Sequence, residues 1–349
     1  MARKLATIQR ISKLEPIPNA DKIEVAHVLG WKAVVEKGKH KEGELVIYFE
    51  VDSFLPIREG FEFLRKACYK KLADGTEGFR LRTIRLRGQI SQGLVMPISI
   101  LPPGTVNPEE GLDITNLIGI TLYQPPIPAC LAGEVKGKFP SWIPKTDETR
   151  VQVLQPILTK YKGTKCYITE KIDGSSVTFY LKDGEFGVCS RNLDLKETTG
   201  NAYWQAARDL KVEEKLRALG KNIAIQGELF GHGIQDNPLK IEGRTVKFFS
   251  VFDIDKYQYL DYEDFYRLIL GVLDLDIVPI LDNEFILTDN IDELIKIATG
   301  ISVLAPVPRE GIVIRPLKEI IDLQMSELTM SNARVTFKAV NPEYLLAEL

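Results

Sequence analysis

Five prolines between residues 124 and 145 (Pro125, Pro126, Pro128, Pro140 and Pro144) limit how this chain can fold more than any other feature. Proline removes a backbone donor and fixes φ, and few apolar positions recur periodically nearby. Neither a helix nor an interior strand is expected to run through such a stretch. At 349 residues the chain also exceeds what one hydrophobic core comfortably organises. The expected layout is a domain over residues 1–123, an extended linker over 124–149, and a second domain over 150–349.

The first of these domains reads as short strands separated by turns. Ala6–Ile11, Glu24–Leu29, Lys32–Val35 and Glu44–Phe49 are β-rich, and Gly30, Gly38, Gly43 and Pro56 punctuate them. Short strands with long irregular insertions suggest a small closed barrel, with the oligonucleotide-binding (OB) barrel the leading candidate. Residues 65–87 carry eight basic side chains against only Asp74 and Glu77. Such a patch attracts phosphate backbones, although a solvated face has the same composition. Within it, strict alternation would send Arg80 and Arg82 to one face and Arg85 and Arg87 to the other. A bulge or turn near Thr83 and Ile84 is required to aim all four at one nucleic acid.

Composition narrows the class further. The chain is 44% hydrophobic and 27% charged with a net charge of −3, ordinary for a globular protein and not basic throughout. No apolar run is long enough to span a membrane, and the start lacks the apolar stretch of a secretory signal. A cytoplasmic location and a monomer are the expectations. Cys68, Cys130, Cys166 and Cys189 are scattered and histidines number three, so reduced, buried thiols are expected and no zinc site.

From about residue 150 strands and helices mix. Val177–Leu181, Ile223–Gln226 and Val246–Ile254 read as strands; Ala202–Leu219, Tyr262–Leu273 and Ile291–Ala298 carry helical spacing. Lys171 closes the β-rich run Cys166-Tyr-Ile-Thr-Glu-Lys and precedes Ile172-Asp173-Gly174. A lysine amine attacks phosphorus only when neutral, so its pKa must fall from about 10.4. A divalent cation would help, and Asp173 lies two residues on, placed to hold one through water. Gly174 permits a close backbone turn. Alone, Lys-x-Asp-Gly is a weak signal.

Its downstream company is specific. Lys171-Ile-Asp-Gly174, Ser190-Arg191-Asn192, Gly227-Glu228-Leu-Phe-Gly231, Phe248-Phe-Ser-Val-Phe252-Asp-Ile254, Glu310-Gly-Ile-Val-Ile-Arg315 and Phe337-Lys338-Ala-Val-Asn341 occur in that order. This series resembles the covalent nucleotidyltransferase superfamily of DNA ligases, RNA ligases and mRNA capping enzymes. The resemblance implies an α+β fold: an N-terminal OB-fold β-barrel followed by a nucleotidyltransferase domain of antiparallel sheets with flanking helices. It implies Lys171 as nucleophile, with Arg191 and Lys338 offsetting phosphate charge. Phe252 would stack on adenine, Glu170 and Ile172 would lie beside the nucleotide, and Asp173, Glu228 and Glu310 would hold Mg²⁺ or Mn²⁺. The implied reaction joins RNA 3′-hydroxyl and 5′-phosphate ends with ATP, through lysyl-AMP and an adenylated 5′ end.

Domain order points within the superfamily. DNA ligases and capping enzymes carry their barrel after the nucleotidyltransferase domain, whereas here the candidate barrel precedes it. That order resembles RNA ligases of the Deinococcus type, and Gly233-Ile-Gln-Asp-Asn237 resembles the phage T4 RNA ligase 2 branch. Arg150 is the expected contact for the leaving pyrophosphate. One departure stands out: many relatives have a second lysine where this chain has Val340. Arg315, Lys318 or the insertion from Glu319 to Asn332 are the candidates to compensate. A DNA ligase and a non-catalytic RNA-binding protein with a decayed ligase domain are the alternatives.

Overall fold

The computed structural model describes residues 3–72, 74–101, 104, 107–123, 135–329 and 333–347. The chain divides into two compact units. One comprises Met1–Pro126 with Gln152–Gln155 and Leu345–Leu349; the other comprises Ile127–Val151 with Pro156–Tyr344.

The first unit is all-β in its core. Its strands are β1 (Ala6–Pro16), β2 (Ile23–Val28), β3 (Trp31–Glu36), β4 (Leu45–Phe49), β5 (Ser53–Pro56), β6 (Tyr69–Lys71), β7 (Glu77–Arg80), β8 (Ile84–Leu86), β9 (Gln89–Ser91), β10 (Leu94–Pro97) and β11 (Thr121–Leu122). Five of them form an antiparallel sheet in the order β10-β4-β1-β2-β3. The sheet curls until its ends meet. Gln92 N–H donates to the Lys32 carbonyl at 2.8 Å, and Ser91 Oγ accepts from Val34 N–H at 2.9 Å. A register shift between Ile11 and Lys13 bends the long strand β1 so that it serves the closure. Period-2 alternation explains why β4 is apolar throughout. Val46 and Tyr48 fill the barrel with Ile11, Val28 and Trp31, while Ile47 and Phe49 pack outward with Leu55, Phe61 and Phe79 under the second sheet, β11-β5-β7-β6.

The second unit holds two sheets. Its strands are β12 (Val135–Lys138), β13 (Thr149–Arg150), β14 (Lys165–Lys171), β15 (Ser175–Lys182), β16 (Glu185–Cys189), β17 (Leu193–Leu195), β18 (Ile223–Gly231), β19 (Arg244–Asp253), β20 (Gln258–Tyr259), β21 (Ile280–Ile286), β22 (Gly311–Pro316) and β23 (Phe337–Val340). The seven-stranded sheet runs β12-β17-β16-β15-β18-β19-β20, and the five-stranded sheet runs β13-β23-β22-β14-β21. Helices Ala202–Asp209 and Val212–Leu219 cover one face of the larger sheet, burying Ala206, Ala207, Val212 and Leu216 against Phe179, Val188 and Phe248. The apolar spacing over Ala202–Leu219 predicts a single helix; Lys211, in the left-handed region at φ 53°, divides it in two. Of the expected linker, residues 124–134 lie outside the described residues. Residues 135–138 form β12, paired with β17, so proline-flanked sequence here supplies an edge strand.

Candidate active site

Lys171 ends β14 in the five-stranded sheet, and four residues later Ser175 opens β15 in the seven-stranded one. The nucleophile motif therefore crosses from one sheet to the other. Gly174 makes the crossing possible: a Cβ there would sit 2.4 Å from the Leu229 carbonyl oxygen, closer than backbone atoms tolerate.

Carboxylates surround the amine. Lys171 Nζ donates to Glu310 Oε2 at 2.7 Å, with the lysine side chain 24% exposed. Burial disfavours the lysine's charge, but Glu310, Glu228 and Asp173 more than offset it and hold the pKa above its ordinary value. Glu228 is pushed up to about 8, chiefly by burial; repulsion from Glu310 and Asp173 adds to this, against Lys171 and Arg191. Burial likewise raises Glu310, opposed by Lys171. Lys171 is the nearest cation to this donor set, with Lys338 acting on Glu310 and Arg191 on Glu228. Among the described residues no three acidic, histidine or cysteine side chains converge into a ready metal cage. Burial and mutual repulsion raise Glu228 and Glu310, and a hydrated divalent ion held through its own waters would relieve that repulsion.

Cross-strand registry aligns the cations. Lys171 lies opposite Gly311, which lies opposite Val340; the next row on the same face is Thr169, Val313, Lys338 and Arg150. Lys338 and Arg150 are thus neighbours, one row from the nucleophile. Val340, 4% exposed, occupies the nucleophile's own row with a branched apolar side chain. Of the two single-residue compensators, Lys318 lies away from this row, whereas the Arg315 guanidinium reaches back to within 3.4 Å of the Thr169 hydroxyl, one row from Lys171. The Arg315 backbone is four residues along β22 from Gly311, about 13 Å at roughly 3.3 Å per residue, and Lys318 is further still. Arg315 is buried and donates to Glu148 at 2.9 Å, and Lys318 pairs with Asp261. Residues 330–332 of the expected insertion lie outside the described residues.

Residues 144–150 run along both sheets and fasten to each. The Pro144 carbonyl accepts from Gln226 at 3.0 Å, Lys145 donates to Asn192 at 2.7 Å, and the Thr146 and Ser176 hydroxyls are 3.2 Å apart. Asp147 accepts from Arg191, whose side chain is 62% exposed. Glu148 accepts from both Arg315 and Thr336, and Thr149–Arg150 then pair in parallel with β23. Asp147 and Glu148 were not singled out from sequence; their separation from Arg191 and Arg315 hides the pairing.

Comparison with known proteins agrees with this geometry. An OB-fold domain model matches residues 5–98, and an RNA ligase model matches residues 164–340. The chain belongs to the RNA ligase family. The structure resembles that of Naegleria gruberi RNA ligase with pyrophosphate at 41% identity, covering 99% of this chain and 98% of that one, with a TM-score of 0.89. Variants of the same protein with ATP and Mn, and with AMP and Mn, align at 40% identity over 98% of both chains, each with a TM-score of 0.89. No curated protein matches.

Some expected positions lie elsewhere in the ligase than sequence suggested. Phe252 is 1% exposed, with the rings of Tyr257 and Tyr259 packed edge-on against it at 5.2 and 5.0 Å, so neither ring face is open. Phe249, which sequence reasoning passed over, occupies a bulge: Gln226 pairs with Ser250 and Gly227 with Phe248, leaving Phe249 between them. Its half-buried ring packs against the cluster containing Ile172, and the Arg315 guanidinium lies 5.5 Å from the ring centre. A bulge gives no signal in the Phe248-Phe-Ser-Val-Phe252 run. Ile172 itself is buried with Phe230, Leu239 and Val278. Glu170 alternates to the opposite sheet face from Lys171, where its buried carboxylate accepts from Val303 N–H at 2.9 Å.

In the first unit the Arg80–Arg87 stretch is not one strand. β7 ends at Arg80, Leu81–Thr83 are irregular, and β8 and β9 form a separate hairpin whose two-residue turn, Arg87 and Gly88, is left-handed at both positions (φ 49° and 82°). The break falls where alternation required one. Arg80 lies 3.5 Å from Asp52 and 4.1 Å over the Tyr123 ring, Arg82 is half-buried, and Arg85 and Arg87 are exposed on the hairpin.

Proposed function

We propose that the ligase uses ATP to join RNA ends in three steps, with Lys171 as the nucleophile. The lysine amine attacks the α-phosphorus; a P–N bond forms and pyrophosphate leaves. AMP then passes to an RNA 5′-phosphate, and a 3′-hydroxyl displaces it as the new phosphodiester forms. One observation carries this reading: a lysine amine at the junction of two sheets, among three carboxylates, with Lys338 and Arg150 in the adjoining row. Solved relatives with ATP, AMP and Mn support the same substrate and metal class.

Lys338 and Arg150 lie where they would offset charge on the α-phosphate and the leaving pyrophosphate. Arg191 meets the nucleotide on release from Asp147. Glu310, Glu228 and Asp173 would hold a hydrated Mg²⁺ or Mn²⁺, whose charge favours the neutral amine and screens the phosphates. Phe249, with its partly open ring, takes the adenine-stacking role in preference to Phe252. Glu170 would contact the nucleotide through its backbone, its carboxylate being committed to Val303.

The first unit docks RNA, with Arg85 and Arg87 reaching phosphates from the hairpin and Arg80 and Arg82 anchored at its base. The barrel-first order supports placement with the Deinococcus-type ligases, acting as a cytoplasmic monomer. Among the described residues no helix is long and apolar enough to cross a membrane. The deciding assay is covalent labelling with ATP carrying a radioactive α-phosphate. Transfer of label to the wild-type chain, lost in Lys171→Ala, is expected; absence of label from the wild-type chain refutes the reading. Removing residues 1–123 is expected to impair sealing more than labelling.

A further inference from the structure

The residues that follow the last motif reach back to the nucleophile loop. β23 ends at Val340, and Asn341 opens the helix Pro342–Ala347. Asn341, 1% exposed, has two sets of bonds. Its side-chain oxygen accepts from Glu343 N–H at 3.0 Å, capping the helix. Its backbone N–H donates to the Glu310 carbonyl at 2.8 Å, and its side-chain amide donates to the Arg309 carbonyl at 2.9 Å. The loop that presents Glu310 is therefore clamped to the start of the helix. One turn on, the buried phenol of Tyr344 donates to Asp173 Oδ2.

We propose that Tyr344 is a positioning residue for the ligase: together with Asn341 it fixes Asp173 and Glu310 in mutual register, so that the pair accepts a divalent ion without reorganising. Two carboxylates that approach one ion come from loops 137 residues apart in sequence, Asp173 and Glu310. The short helix ties both to one rigid element, Asn341 through the backbone beside Glu310 and Tyr344 through the side chain of Asp173. The phenol occupies Asp173 Oδ2, so that Oδ1 would be the oxygen to face a hydrated ion. Preorganisation of this kind acts on affinity for the ion more than on the chemical step once the ion is bound.

The proposal rests on the reading of Asp173 as a metal-holding residue, and the test separates the two. Mn²⁺ binding to the full-length protein without nucleotide is measured from the electron paramagnetic resonance signal of free Mn²⁺, for wild type, Tyr344→Phe, Asp173→Asn and the double variant. Single-turnover labelling from ATP is titrated with Mn²⁺ in parallel. Tyr344→Phe keeps the ring and removes only the hydroxyl. It is expected to weaken Mn²⁺ binding fivefold or more, and to raise half-saturating Mn²⁺ equally, while the labelling rate at saturating Mn²⁺ falls less than twofold. Asp173→Asn is expected to weaken binding further, and adding Tyr344→Phe to it to cost nothing more. If Asp173→Asn weakens Mn²⁺ binding and Tyr344→Phe does not, the positioning role is overturned. If Asp173→Asn itself leaves Mn²⁺ binding unchanged, the metal reading of Asp173 fails. A Tyr344→Phe protein with a lower melting temperature but wild-type Mn²⁺ binding shows a structural role only, and also overturns the proposal.

Discussion

Two phenylalanines three residues apart on β19 make opposite demands when truncated. Phe252 has 1% of its surface exposed and is enclosed by Tyr180, Ala224, Tyr257 and Tyr259. Phe252→Ala leaves a cavity that rigid sheet neighbours cannot fill, a loss of about 3–5 kcal/mol. Against a typical total of roughly 5–15 kcal/mol, that is a large fraction of the fold's stability. Phe249→Ala removes a half-buried ring on a bulge, with less cavity to leave. Its expected cost falls on the nucleotide: base stacking on an aromatic contributes about 1–3 kcal/mol by alanine substitution, or roughly 5- to 150-fold in Kd. Calorimetric titration with a non-cleavable α,β-methylene ATP analogue measures the second quantity, and urea unfolding of the same proteins measures the first. Phe249→Tyr is expected to restore affinity, since it keeps the ring. A Phe252→Ala protein of wild-type stability that binds the analogue tenfold more weakly, beside a Phe249→Ala protein that binds normally, would refute the assignment.

Three further outcomes are expected. Gly174→Ala brings a methyl group against the Leu229 carbonyl and shifts the loop carrying Lys171, so labelling from ATP should fall about 10²-fold, the scale of a 1 Å misplacement; an unchanged rate contradicts the close-packing argument. Arg315→Ala strands the nearly buried Glu148 and should cost about 3–5 kcal/mol in urea unfolding, with less than 1 kcal/mol counting against a structural role. Because the surrounding carboxylates raise the Lys171 pKa and only the neutral amine attacks, labelling at fixed, saturating Mg²⁺ should climb with pH from neutral into the mildly alkaline range. A flat single-turnover profile for the wild-type ligase would contradict the raised amine.

Much of this molecule was legible in its residues because the informative signals are local. Short alternating strands read correctly as a barrel, and the Lys171 motif sat at a strand end as its glycine required. The later motifs indeed supply strands β18, β19, β22 and β23 of the two sheets. What escaped was non-local or geometric. The bulge that turns Phe249 outward depends on pairing with β18, and the Asp147–Arg191 pair joins residues that meet only in the folded unit. Glu170 illustrates a third kind of loss: its neighbour Lys171 drew attention to it, yet the pleat turns consecutive side chains to opposite faces. The Val340 departure could be seen in sequence, but which cation approaches its row depends on side-chain direction: Arg315 turns back toward Thr169, and Lys318 pairs with Asp261.

Residues 135–150 bear on how this ligase can be cut. They supply an edge strand to one sheet, a parallel strand to the other, and side-chain bonds to both in between. A chain begun at residue 150 would lose those tethers and expose the flanks of β17 and β23, so its failure to bind nucleotide would report on damage, not on the barrel. Severing the chain ahead of residue 135 keeps the two sheets tied together, and only such a fragment measures what the N-terminal unit contributes to sealing.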